Sequence, residues 1–182
     1  VDEFKYSDFL FVAFGRDGEN VLKSEYLALS WDLTEEFKKI SQVEEVLSLS
    51  TMNRMEGDDG FLEVDELIPK RELTELEIQS ITKYLKDNNN LSSRILGKNG
   101  DYINIIIRPK NASDFPIMVS AIREITNPYE HKYDFHFGGQ PYIAGQVPSL
   151  ILIETRKLIL LGLLIMSTIL LANLRSLPAV GM

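Results

Sequence analysis

Residues 8–15 read DFLFVAFG, a run of aromatic and β-branched side chains that stops at the Gly-Arg-Asp-Gly turn of residues 15–18. That composition, closed by turn glycines, predicts a buried strand. Outward from it, Leu27, Leu29, Trp31, Leu33, Phe37 and Ile40 recur mostly every three to four residues between Ser24 and about Ser41. Lys38 and Lys39 stand where cations suit the negative end of a helix, so this stretch is expected to be helical. Residues 43–51 (VEEVLSLST) then set Val46, Ser48 and Ser50 against Leu47 and Leu49, the period of a half-buried strand. The first unit reads β-α-β.

A second unit follows the same order. Residues 101–108 (DYINIIIR) come after Gly97-Lys98-Asn99-Gly100, and Asn-Gly supplies the positive φ angles that tight hairpin turns need. Residues 92–96 and 101–108 are therefore expected as the two arms of a hairpin, closed by Pro109. Ser113 or Asp114 is expected to cap a helix through Thr126, with Ile117, Val119, Ala121, Ile122 and Ile125 on its apolar side, and residues 133–137 alternate again as a strand. Two β-α-β units in tandem give the expected fold class, α+β, as a ferredoxin-like β-α-β-β-α-β arrangement with both helices on one face of an antiparallel sheet. Residues 52 to about 92 would be an insertion between the halves. It holds an acidic stretch (EGDDGFLEVDELIPK, 56–70) and a helix that Thr74 caps, running to Asp87 with Leu76, Ile78, Ile81 and Leu85.

The 182 residues carry a formal net charge of -8, with 45% apolar and 25% charged residues and no cysteine. Nucleic acid is not an expected partner, because binding phosphates requires clustered Lys and Arg that release counterions. Disulfides and Cys-ligated metals are excluded outright. No basic segment followed by an apolar one precedes the first strand, so no signal peptide is expected in this sequence. Near the other end, residues 158–172 (LILLGLLIMSTILLA) contain no charge, and the uncharged run continues to Leu174. Seventeen residues at ~1.5 Å each lie at the short limit of a bilayer span. The alternative is a helix buried in a water-soluble core. Apolar residues on every face, with Arg156 and Lys157 before the run and Arg175 after it, favour the span.

Few residues could carry chemistry. His131 and His136 are the only histidines, and a metal site would need a third ligand from elsewhere. Glu56, Asp58, Asp59, Glu63, Asp65 and Glu66 lack the order of a calcium-binding loop and read as a solvated acidic segment. No G-x-S-x-G, Walker or G-x-G-x-x-G pattern occurs, so neither an enzymatic role nor a cofactor is expected. The cluster that merits attention is Gly138-Gly139-Gln140-Pro141, a candidate hinge or substrate-path element. Two glycines permit close backbone approach and the proline stiffens the exit; a simple chain-redirecting turn is the plainer alternative.

In the order and spacing of its pieces the sequence resembles the resistance-nodulation-division superfamily of transporters, in particular its MmpL-like, hydrophobe-exporting branch. The pieces are VEEVLSLST (43–51) with the acidic loop and LEVDELIP (62–69), the segment RILGKNGDYINIIIR (94–108), and Gly138-Gly139-Gln140-Pro141 ahead of the apolar run, with Leu174-Arg175-Ser176-Leu177 beyond it. The resemblance implies a first periplasmic porter domain over residues 1–150, then a linker and the start of a transmembrane helix over 151–182, spanning about 158–174. It further implies a proton-driven exporter in a bacterial inner membrane that moves hydrophobic or lipid-like substrates. Its partners would be the other porter domain and membrane helices of the same protein, and oligomers are compatible with it. The proton-relay acids of the family lie on later helices, and residues 158–172 contain none. A ligand-sensing domain on a membrane receptor is the second reading, and a soluble protein with a buried final helix the third.

Overall fold

The computed structural model describes residues 9–58 and 61–174. Contacts divide the chain into two compact units, Val1–Gly145 and Gln146–Met182. In the first unit, β1 (Leu10–Gly15) turns Leu10, Val12 and Phe14 fully inward, the period-two signature of its sequence. Helix α1 (Ser24–Lys38) buries Tyr26, Leu27, Leu33 and Phe37, spaced so that they share one stripe. β2 (Val43–Leu47) and β5 (Tyr102–Pro109) pair antiparallel, with a bulge at Val43/Glu45. β5 and β6 (Asp134–Gly138) flank β1, each antiparallel to it. The four-stranded sheet thus has the order β2-β5-β1-β6. Ile103, Ile105 and Ile107 of β5 meet the same core as Met118, Val119 and Ile122 of α4 (Phe115–Thr126) and the apolar stripe of α1. The fold is α+β.

Several expectations change. The second strand stops at Leu47 rather than running to Thr51, because hydroxyls there satisfy the backbone locally. The Ser48 amide donates to Thr51 Oγ1 at 2.8 Å, the Ser50 amide donates to Ser48 Oγ at 3.2 Å, and Thr34 Oγ1 lies 2.9 Å from Ser48 Oγ. Residues 92–96 are not a hairpin arm. Residues 92–95 belong to α3 (Asn89–Ile95), in which Ser92 and Ser93 hydroxyls donate to the Asn89 and Asn90 carbonyls, and Leu91 and Ile95, one turn apart, turn toward the core. What remains of the hairpin is one bridge, Leu96 with Ile103, and a turn in which Gly100 takes φ 71°. Asp114 precedes α4 but makes no capping bond; its carboxylate instead accepts from Asn111 and Ser113, and a 3-10 turn (Ala112–Asp114) leads into the helix. Ile117 and Leu76, expected on apolar helix faces, are exposed.

Within the expected insertion, β3 (Asn53–Asp58) and β4 (Phe61–Glu66) form a separate two-stranded antiparallel ladder. The ladder pairs Asp58 with Phe61, leaving Asp59-Gly60, which lies outside the described residues. An Asp-Gly dipeptide between two short strands is a recognised hairpin signal, and the weak hydrophobic alternation around it hid that signal. Much of the acidic segment expected to be solvated loop is therefore strand.

Helix α2 (Glu75–Asp87) starts as expected at Thr74, in a reciprocal capping box: the Glu77 amide donates to Thr74 Oγ1 at 3.4 Å and the Thr74 amide to Glu77 Oε2 at 2.7 Å. Lys70, 2.8 Å away, and then the two Thr74 donors hold the Glu77 carboxyl well below the usual carboxylate range, to about 2. A depressed folded-state pKa stabilises the fold above the unfolded value near 4.5, and that contribution disappears as pH falls from there through about 2. Thr74→Ala should cost about 1 kcal/mol in urea unfolding at pH 7. It should also raise the Glu77 midpoint in a carboxyl NMR titration; an unmoved midpoint would mean that Thr74 does not engage Glu77.

Helix α5 (Gln140–Leu174) runs without a break through residues 151–157, where a linker was expected. Among the described residues, no helix is long and apolar enough to cross a membrane.

Candidate functional site

Gly138, Gly139, Gln140 and Pro141 sit at the junction of β6 and α5. Gly138 closes β6, paired with Phe11 across the ladder. Gly139 then turns the chain with φ 95°, a region that side chains with a Cβ rarely occupy. Space excludes a side chain as well: a Cβ there would collide with the Phe9 carbonyl oxygen and sit 3.3 Å from the Phe11 ring. Gln140 is exposed and opens the helix, Pro141 lies buried in its first turn, and the Ile143 amide donates to the Gly139 carbonyl at 3.3 Å. Proline suits that first turn because its missing N–H would have no helical partner there. One turn on, Gly145 lets α5 approach α4: a Cβ would stand 2.9 Å from the Phe115 carbonyl oxygen and 2.9 Å from Val119 Cγ2.

Residues that the sequence did not single out lock this junction. Phe137 stacks on Tyr142 with ring centres 5.3 Å apart and planes 13° from parallel. The Arg123 guanidinium lies 5.0 Å from the Phe137 ring centre, donates to the Tyr142 hydroxyl at 3.4 Å, and reaches Glu130 at 3.9 Å. Phe135 continues the aromatic row from Phe137, at 6.3 Å, to buried Phe14, at 5.8 Å. Arg123 stands on the outer side of α4, where sequence alone gives a solvated charge, so only the return of β6 and α5 to that helix reveals its role. On the opposite side of β6, His136 meets the Tyr102 ring edge-on at 5.1 Å. Desolvation, and then the hydrogen bond to Asp17 at 3.0 Å, pushes the Tyr102 hydroxyl up to about 12, so it remains a donor at neutral pH.

No protein-family model, curated protein or solved structure matches the chain. The likeness drawn from the order of motifs therefore rests on those residues alone.

Chemically the junction offers packing and geometry. His131 and His136 are both exposed, and among the described residues no group of three His, Cys, Asp or Glu side chains could hold a metal ion. The four candidate residues bring a backbone turn, an exposed amide side chain and a rigid helix start. Such a set can aim a helix relative to a sheet edge; it cannot activate a nucleophile.

Proposed function

We propose that the first unit is a periplasmic porter-type domain of an exporter resembling the resistance-nodulation-division superfamily, and that α5 carries the chain into a bacterial inner membrane. The observation that carries this reading is the state of α5 itself. From Leu158 to Leu170 its large apolar side chains are 50% to 67% exposed, on every face, with no charged residue among them. Each such side chain left in water forgoes about 1.5–3 kcal/mol of burial, so a helix of this kind calls for a nonpolar surround. The thirteen residues from 158 to 170 rise ~20 Å and the uncharged run to Leu174 ~26 Å, short of the ~30 Å hydrocarbon core. In this reading α5 therefore enters the membrane and crosses it only where the bilayer thins around it.

The sheet order β2-β5-β1-β6, with the two β-α-β connections of α1 and α4, supports reading the domain as ferredoxin-like with β3, β4, α2 and α3 inserted between its halves. In this reading the Gly138–Pro141 junction transmits rocking of the domain to the membrane helix, and hydrophobic or lipid-like substrate passes along such domains in the assembled transporter. The energy-coupling acids belong to helices elsewhere in the same assembly.

Vesicle flotation tests the membrane step. The full chain should rise with phosphatidylethanolamine–phosphatidylglycerol vesicles, whereas a chain ending at Arg156 should stay in the aqueous fraction with a cooperative unfolding transition. A lysine at position 164, near the middle of the run, costs about 2.5–3.5 kcal/mol in lipid and should cut vesicle partitioning on the order of 100-fold. Equal flotation of the full and shortened chains would remove α5 from the bilayer. A parent gene encoding neither a second such domain nor further apolar helices would remove the exporter.

A further inference from the structure

The first unit contains a cleft of about 780 Å³ that none of the foregoing uses. It lies between the C-terminal half of α2, α3, the loop at Gly18–Leu22 and the turn at Gly97–Asp101. That volume falls in the range of small-molecule sites. Its floor is apolar, with Leu85 fully buried and Leu22 and Leu96 packed on the core. Backbone hydrogen bonds hold its walls together: the Val21 amide donates to the Gly100 carbonyl at 3.2 Å, Arg16 to Asp101 at 3.2 Å, and Gly97 to Tyr102 at 2.8 Å. A cleft braced this way is formed before anything enters it, which lowers the cost of binding.

The charges around it are uneven. Lys38, Lys39, Lys70, Arg71, Arg108 and Lys132 all make ion pairs, as expected in a chain of net charge -8. Lys86 on α2 and Lys98 in the turn, which line the cleft, make none among the described residues, and neither do Lys83, Arg94, Lys110 and Arg156 outside it. Of the two acids that line the cleft, Glu19 is neutralised and Asp101 makes no ion pair among the described residues. Glu19 is met by Arg16 at 3.8 Å, by Lys23 at 3.9 Å and by the Tyr26 hydroxyl at 3.0 Å; Asp101 accepts from the Asn99 amide at 3.5 Å. The cleft thus sets two lysines without an ion pair, Lys86 and Lys98, against one unpaired carboxylate, Asp101, beside an apolar floor.

We propose that this cleft binds a small organic anion: a phosphate- or carboxylate-type head set against Lys86 and Lys98, on a short aliphatic body that lies over Leu22, Leu85 and Leu96. The head takes its charge complement from the lysines, and the tail removes the exposed parts of Leu22 and Leu96 from water. The site is independent of the exporter reading, since it requires only the first unit.

The test is an amide NMR titration of the full chain in a neutral detergent with hexyl phosphate, hexanoate, hexanol and inorganic phosphate. Hexyl phosphate or hexanoate should shift the Gly97 and Gly100 amides saturably, with hexanol and inorganic phosphate each about 10-fold weaker or worse. The stronger of the two anions identifies the head group. Lys86→Met with Lys98→Met should weaken binding about 10-fold at unchanged unfolding midpoint, whereas Lys83→Met, outside the cleft, should leave it unaltered. Three results would overturn the proposal: no saturation by about 10 mM of either anion, hexanol binding as well as both, or equal losses from Lys83→Met and the double variant.

Discussion

Gly139→Ala is expected to lower the unfolding free energy by about 3 kcal/mol, a shift of ~10 °C in thermal midpoint. Two costs add at this position. Its φ of 95° disfavours any residue with a Cβ, and the Phe9 carbonyl oxygen occupies the space that Cβ would take. Gly100 separates them, because it has φ 71° but nothing within 4 Å of a built Cβ. Gly100→Ala should therefore cost only the conformational part, about 1 kcal/mol. Unfolding can be followed through Trp31, the chain's single tryptophan, which packs against the core. Equal losses at 139 and 100 would show that the approach to Phe9 is not tight, and the junction would then be an ordinary turn. A backbone that must shift to admit the methyl also re-aims the start of α5, so the same variant bears on whether this junction directs the helix.

The second large effect is expected at Phe14. It is fully buried in the central strand β1, faces Ile103 on one side and Phe135 on the other, and stacks on Phe135 at 5.8 Å. Phe14→Ala should cost about 3–5 kcal/mol, through lost transfer energy and a cavity that a sheet centre cannot close. Phe11, three residues earlier on the same strand, points to the other face and is 42% exposed. Phe11→Ala should cost less than about 1 kcal/mol. The ratio of the two losses reports which face of the sheet is dry. Comparable losses would mean that both faces are covered, and would require a layer over Phe11 that the fold does not contain among its described residues.

The difference between these phenylalanines shows where sequence reading succeeds and where it stops. DFLFVAFG announces a strand, since no other element tolerates so dense an aromatic and β-branched run. Large apolar residues stand at both parities of this strand, Phe9 and Phe11 against Leu10, Val12 and Phe14, and cannot by themselves say which set faces the helices. The same limit explains residues 92–96. Leu91, Ile95 and Leu96 suit a short helix as well as a strand, and the serines and asparagines around them satisfy backbone groups in either form. Packing against β5 and the core chose the helix. In the β3–β4 ladder the error ran the other way: charged residues at alternate positions masked strands that pair with each other.

The candidate junction was legible for a similar reason. Two adjacent glycines followed by Gln-Pro mark a place where the chain can turn sharply, which is the plainer of the two readings of this cluster, and Gly139 does take a positive φ there. Arg123, Phe137 and Tyr142 were not legible as a unit, because residues 19 apart become hydrogen-bond partners only once β6 and α5 return to α4. The cleft at Lys86 and Lys98 was equally hidden, since an unpaired lysine is defined by neighbours that the chain order does not reveal.

By itself, then, the amino-acid order determined the alternation of β1 and β5, the amphipathic stripes of α1 and α2, the Thr74 cap, the glycine turns and the uncharged run from Leu158, because periodicity, capping and hydropathy act over a few neighbouring residues. Tertiary structure alone decided the order β2-β5-β1-β6, the outward face of Phe11, the helical state of Asn89–Ile95, the Arg123 clamp and the cleft at Lys86 and Lys98. Each of these depends on which distant segments exclude water from one another, and that burial is a property of the assembled chain rather than of any window within it.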